Sequence, residues 1–229
     1  YQNNQRLLST LPILARPDIR DMLIIGFGAG VAIEDVPPSV ASIDVIELEP
    51  KVLDANRTIS AERQFDPLAD DRVSVFLNDA RSALKLTEKR YDTIISQPSH
   101  PWTAGASHLY TREFMTLTKD HLNDGGVFLQ WMNTQFLTES LLRSLCATIL
   151  DVYPHARLYH WQSEILFFLG SDQPLNIEQM MAETGRPLRD DPTHYLEKGI
   201  GSVEDLLVAL AMDEDNMRRF ARGADLLTD

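Results

Sequence analysis

The chain has a single cysteine, Cys146, among 229 residues. An internal disulfide is therefore excluded. So is a zinc site built on paired cysteines, because no such spacing exists and the six histidines are scattered. Basic residues are scarce against acidic ones: 21 Lys and Arg face 34 Asp and Glu, for a net charge of −13. That balance argues against a nucleic-acid backbone or an anionic membrane as the main partner. It would suit a cationic substrate such as a polyamine, and it equally serves plain solubility. No stretch approaches the roughly 20 apolar residues of a membrane-spanning helix, and none has the pattern of a secretory leader. The expected compartment is the cytoplasm, with no membrane contact by this chain. The sequence opens at Tyr1 and can be a piece of something longer. Internal repeats and low-complexity tracts are absent.

What the sequence does have is a short apolar run, 22–25, that breaks into Gly26-Phe27-Gly28-Ala29-Gly30. This pattern predicts a buried strand and a tight turn into a helix. Residues without a Cβ let backbone amides approach a bound nucleotide closely. A second apolar run, 43–49, ends in Glu47 and Glu49, and Glu47 lies 21 positions after Gly26. A nucleotide-binding βαβ unit presents an acid to the ribose hydroxyls at about that distance. Strand, glycines, crossover and acid in register point to an adenosine-type ligand. A nicotinamide cofactor would want a third glycine at position 31, where the chain has Val31, so that reading ranks last.

The rest of the chain continues the alternation. Residues 7–14 carry an apolar pattern that Pro17 closes, and the first helix after the glycines is cut short by Pro37-Pro38. A helix is expected at 50–60, with Pro50 in its first turn. Strands are expected at 73–77 and 91–96. A helix from Thr111 to about Leu122 follows, then a turn at 123–126 and a fifth strand at 127–131. A long helix at 138–153 precedes two antiparallel strands, 156–160 and 165–170, around Gln162-Ser163. From residue 171 the composition shifts to 13 acids against 6 bases, with helices at 177–183 and at 203–222, broken near Asp213. The expected fold is α/β: a doubly wound, mostly parallel, seven-stranded sheet, with a nucleoside-binding domain at 1–170 and a small acidic helical extension at 171–229 packed on it. Ligands of such sheets sit at the carboxyl ends of the strands. Here those ends are Gly26–Gly30, Glu47–Glu49, Asp79 and the stretch 97–102.

Taken together, the motifs LLSTLPILARP, LIIGFGAG, VIELEPKV, NDARSAL, YDTIISQPSHPW, LYTREF and GGVFLQW resemble those of spermidine synthase-like proteins. That group lies within the class I S-adenosylmethionine-dependent methyltransferase superfamily. The resemblance runs from about Leu7 to Trp131 and more weakly to Gly170. It implies Gly26, Gly28 and Gly30 around the sulfonium tail of the nucleoside, Glu47 on the ribose hydroxyls, and Asp79 with Ala80 at the adenine. Asp79 would equally suit the N-cap of the next helix, and the two uses are compatible. The ligand so implied is S-adenosylmethionine, its decarboxylated form, or methylthioadenosine as product or analogue, with no metal.

The chain also departs from the polyamine aminopropyltransferases it resembles. They hold an Asp where this chain has Ala29, and two more where it has Gln97 and His100. Their early polyamine-lining tyrosine, glutamate and histidine align with Asn4, Arg6 and Thr10. The resemblance makes Gln97 and His100 the expected catalytic positions. A glutamine takes no proton near neutral pH, whereas His100 could serve as general base or simply bond the backbone between its two prolines. Trp102 could wall the donor site or pack under its loop; Tyr110 and Gln130 read as structural. The expected function is a transferase with an unknown acceptor, such as an amine, for which ordinary putrescine aminopropyl transfer is doubtful. The alternative is a nucleoside-binding sensor or partner domain without catalysis. A homodimer is compatible with either.

Overall fold

The computed structural model describes residues 2–34, 36–98, 105–135, 137–161, 164–184, 192–196 and 199–229. Among the described residues eight strands form one sheet, in the order β3-β2-β1-β4-β5-β7-β6-β8. Strands β1 (Asp21–Ile25), β2 (Ser42–Glu47), β3 (Val73–Leu77), β4 (Tyr91–Ser96) and β5 (Leu122–Asn133) run parallel. Strand β7 (Ile165–Ser171) lies antiparallel between β5 and β6 (His155–Trp161), and β8 (Leu210–Met212) pairs antiparallel with β6. The chain builds outward from β1 through β2 to β3, then returns to the other side of β1 as β4. A crevice opens above the carboxyl ends where the winding reverses.

Both faces of the central strands are buried. Met22 and Ile24 point into one core and Leu23 and Ile25 into the other, the two-residue alternation of a strand covered on both sides. The first core is roofed by α1 (Gln2–Ala15), α2 (Val31–Glu34) and α3 (Pro50–Ile59), and further along by α7 (Ile177–Thr184), α8 (Pro192–Leu196) and α9 (Val203–Ala209). The second is roofed by α4 (Ala80–Lys85), α5 (Arg112–Asp120), α6 (Glu139–Val152) and α10 (Glu214–Ala221). Cys146 lies in this second core, where burial pushes its thiol up to about 12, so it packs as a small apolar residue. Among the described residues no helix is long and apolar enough to cross a membrane.

Two sequence expectations need correction. The sheet has eight strands rather than seven, because the break near Asp213 is a short strand. Leu210 and Met212 pair with Tyr159 and Leu158, and Asp213 then caps α10 by accepting from Asn216 N at 2.8 Å. Three residues are too few to show strand periodicity in a sequence. The fifth strand starts at Leu122 rather than Val127. The expected turn at 123–126 is absorbed as an irregularity between the pairs Tyr91–Leu122 and Thr93–Val127. The first helix carries Pro12 inside it and, as expected, ends before Pro17, at Ala15. The segment from residue 171 onward supplies an edge strand as well as helices, and it packs on both faces of the sheet.

Candidate functional site

The glycine turn leaves the sheet without leaving its hydrogen-bond ladder. Gly26 N donates to Ile46 O at 2.8 Å, and Gln97 N donates to Ile25 O at 3.0 Å. The backbone then takes left-handed conformations at Gly26, Gly28 and Gly30, with φ of 92°, 55° and 72°. The three glycines do different work. A Cβ on Gly26 would stand 2.9 Å from the Gln97 carbonyl oxygen, whereas one on Gly28 would meet nothing within 4 Å. Gly30 faces away from the cleft, and its Cβ would strike Pro67 Cγ at 2.8 Å and the Phe27 ring at 3.0 Å.

Glu47 ends β2 with its side chain turned back across this loop. One carboxylate oxygen accepts from Phe27 N and the other from Glu49 N, each at 2.8 Å. The carboxylate therefore holds the second residue of the glycine turn and the entrance to α3 at once. Each oxygen keeps a further lone pair, enough for a diol. The next acid, Glu49, caps α3 by accepting from Lys51 N. At the end of β3, Asp79 caps α4: its Oδ1 accepts from Ser82 N at 2.9 Å, and Oδ2 has no protein partner among the described residues. Gln97 is placed by its donation from Nε2 to Gly26 O at 2.7 Å.

These residues line one cleft of about 300 Å³, of a size that suits a small organic ligand. Its walls are Gly26 and Gly28, Glu47 and Glu49, Asn78 to Ala80, Gln97, and the apolar surface of Ala106 and Leu109. Gly26, Gly28, Glu47, Asp79, Ala80 and Gln97 are thus brought together, and Gly30 is not. His100 and Trp102 lie outside the described residues, as do the side chains of Asn4 and Arg6. Tyr110 and Gln130 are buried behind the site, and Tyr110 OH donates to Trp131 O at 3.4 Å. Burial pushes the Tyr110 phenol well above its ordinary range. Among the described residues no three His, Cys, Asp or Glu side chains are grouped to hold a metal.

Sequence reasoning missed two residues that shape the loop from behind. Asn56 Nδ2 donates to Gly28 O at 2.9 Å, and Arg63 Nη2 donates to Ala29 O at 2.7 Å. Arg63 also reaches Asn56 Oδ1 and pairs with Glu34, so its charge is answered within the loop. A buried Asn on the Val52–Leu53 face of α3 was a signal that could have been read; Arg63 offered none.

The Glu47 arrangement makes a prediction that needs no ligand. Glu47→Gln turns an amide NH2 toward one of two backbone N–H donors, leaving a buried donor without an acceptor. Urea unfolding should show a loss of about 1–3 kcal/mol. An unchanged midpoint would mean that the loop does not depend on the carboxylate.

A doubly wound sheet with a glycine turn after β1 and a capped β3–α4 corner is a methyltransferase-like fold. The solved structure of human Methyltransferase-like protein 13 in complex with SAH shares that fold. It matches with a TM-score of 0.57 at 18% identity, over 92% of this chain and 90% of that one. A spermidine synthase solved with the transition-state analogue AdoDATO matches with a TM-score of 0.77 at 18% identity, over 96% of this chain and 75% of that one. The spermine/spermidine synthase domain matches residues 2–162, and the chain belongs to that family. A curated relative, the polyamine aminopropyltransferase of Methanocaldococcus jannaschii, is 28% identical over 205 residues, covering 85% of this chain and 69% of the relative. Of further curated relatives, all polyamine aminopropyltransferases, the chain spans 33% to 57% of the length.

Proposed function

We propose that the cleft binds an adenosyl sulfonium, decarboxylated S-adenosylmethionine, and that the chain transfers the aminopropyl group to an amine. The observation that carries this reading is the convergence of Glu47, Asp79 and the Gly26–Gly28 turn on one cleft, in a chain of the spermine/spermidine synthase family. Glu47 would take the ribose hydroxyls, Asp79 Oδ2 the adenine amino group, and Gly28 the approach of the sulfur. Ala80 would supply the small floor under the base. The fit is chemical: carboxylates accept strongly from hydroxyls and amines, and a glycine with open space above it leaves room for the chain on sulfur.

In the reaction, the amine lone pair forms a bond to the carbon on sulfur as the carbon–sulfur bond breaks. Methylthioadenosine leaves, and the ammonium proton passes to a base. Sulfonium is already a good leaving group, so the protein contributes mainly positioning and proton removal. Gln97 orients the glycine turn and takes no proton; the base we assign is His100. A non-catalytic sensor role draws no support from the named transferases among the relatives. S-adenosylmethionine itself is the alternative donor. The cytoplasm remains the proposed compartment. A homodimer also remains a proposal, with the free edge of β3, where Phe76 and Leu77 are exposed, as the place for a second copy.

The test is thermal. Methylthioadenosine at about 100 times its dissociation constant should stabilise the fold by ~2.7 kcal/mol. For a chain of this size that is a rise in Tm of roughly 5–10 °C. NAD at the same concentration should leave Tm in place. A chain that responds to NAD and not to methylthioadenosine would overturn the reading.

A further inference from the structure

Residues 224–229 form neither helix nor strand. The stretch is nonetheless held by hydrogen bonds at Leu227 and Asp229. Leu227 N donates to Thr148 Oγ1 at 2.9 Å, and Leu227 O accepts from Arg112 N, in the first turn of α5, at 2.8 Å. Asp229 N donates to Glu113 Oε2 at 3.1 Å. The Asp229 carboxylate receives both arms of the Arg81 guanidinium, at 2.6 and 2.5 Å, and the Thr111 hydroxyl at 2.9 Å. The segment is a strap laid across α6 and the start of α5, ending in a two-armed ion pair with α4.

What the carboxylate joins is specific. Arg81 follows Ala80, which with Asp79 lines the cleft; Thr111 caps α5 just after Ala106 and Leu109, which line it too. These linings come from separate parts of the chain. A half-exposed ion pair adds little to overall stability. A two-armed Arg–carboxylate pair does, however, fix the relative placement of what it joins.

We propose that Asp229 is a positioning residue for the nucleoside site: through Arg81 and Thr111 the strap sets the spacing of the Asp79–Ala80 and Ala106–Leu109 parts of the lining, and so how closely the cleft grips a planar base. The inference rests on the adenosyl reading above. Arg81 also holds the Asp229 carboxyl at about 2, so the clamp is charged at any working pH.

The test is calorimetric titration of the whole chain with methylthioadenosine, alongside Tm, for the parent, Asp229→Ala, Asp229→Asn, Asp229→Glu and Arg218→Ala. Arg218 makes a comparable ion pair, with Glu214, in the same C-terminal region but away from the cleft. Asp229→Ala and Asp229→Asn should raise Kd about tenfold with little change in Tm. Asp229→Glu should recover most of the affinity, and Arg218→Ala should keep all of it. Parent-like affinity in Asp229→Ala would overturn the inference. So would an equal loss in Asp229→Glu or Arg218→Ala, since the strap would then act through general stability alone. Failure of the parent itself to bind would instead remove the adenosyl reading on which the inference rests.

Discussion

Gly26→Ala is expected to abolish nucleoside binding and to cost about 2–5 kcal/mol of stability, the sum of a left-handed backbone penalty and overpacking. The reason is local and has no easy relief. At φ 92° the added Cβ meets the Gln97 carbonyl oxygen at 2.9 Å. That carbonyl cannot retreat freely, because Gln97 N is bonded to Ile25 O and the Gln97 amide to Gly26 O. Moving Gln97 therefore unpicks the junction of β1 and β4, where the cleft begins. The neighbouring glycines should separate the two effects. Gly28→Ala has open space around its Cβ but lines the cleft, so binding should fall while stability drops by only about 1–2 kcal/mol. Gly30→Ala strikes Pro67 and Phe27 away from the cleft, so stability should fall first. Urea midpoints and methylthioadenosine titrations on the three variants decide it. Equal losses of both quantities in all three would contradict this division.

That division could not have been read from the sequence, which presents the three glycines as one cluster. Other features were legible because they depend on local periodicity or on fixed covalent properties. The ends of β3 and β4 fall where their apolar runs end, and Pro50 opens α3 where a proline is tolerated. Glu47 was legible as a strand-end acid. Its second task, holding Phe27 N across the turn, depends on how β2 sits beside β1 and has no sequence signature. The same holds for Asn56 and Arg63, which reach the loop carbonyls from a different helix and the turn after it. The eighth strand and the Asp229 strap are the extreme cases. Their conformations are set by partners 50 or more residues away, and their own composition is neutral between coil and strand.

The last expectation concerns the acceptor amine: the parent chain should use putrescine slowly, and acids restored to the cleft should speed it. A diamine is doubly protonated at neutral pH and must lose one proton before it can attack. At the end of β4 the chain offers Gln97, whose amide has no lone pair basic enough for that task and is already committed to Gly26 O. Gln97→Asp exchanges this donor for a shorter carboxylate near the Gly26 carbonyl. Two consequences follow with opposite signs. Gly26 O loses its partner, so stability should fall by about 1–3 kcal/mol. The new carboxylate, in a cleft already lined by Glu47, Glu49 and Asp79, should have its pKa raised by like charge, toward the range that suits a general base. A base placed there is worth roughly 10²–10⁴ in rate. Ala29→Asp supplies a counter-charge for an aminopropyl ammonium, and Arg63, which bonds Ala29 O, is already answered by Glu34 and should not consume it. The measurement is product formation from putrescine and decarboxylated S-adenosylmethionine by the parent, Gln97→Asp and the double variant. The double variant should be the fastest and the least stable of the three. Parent turnover within the usual enzymatic range of about 1–10³ s⁻¹ would show that His100, the base assigned above, serves without an acid at position 97, and His100→Gln should then abolish it.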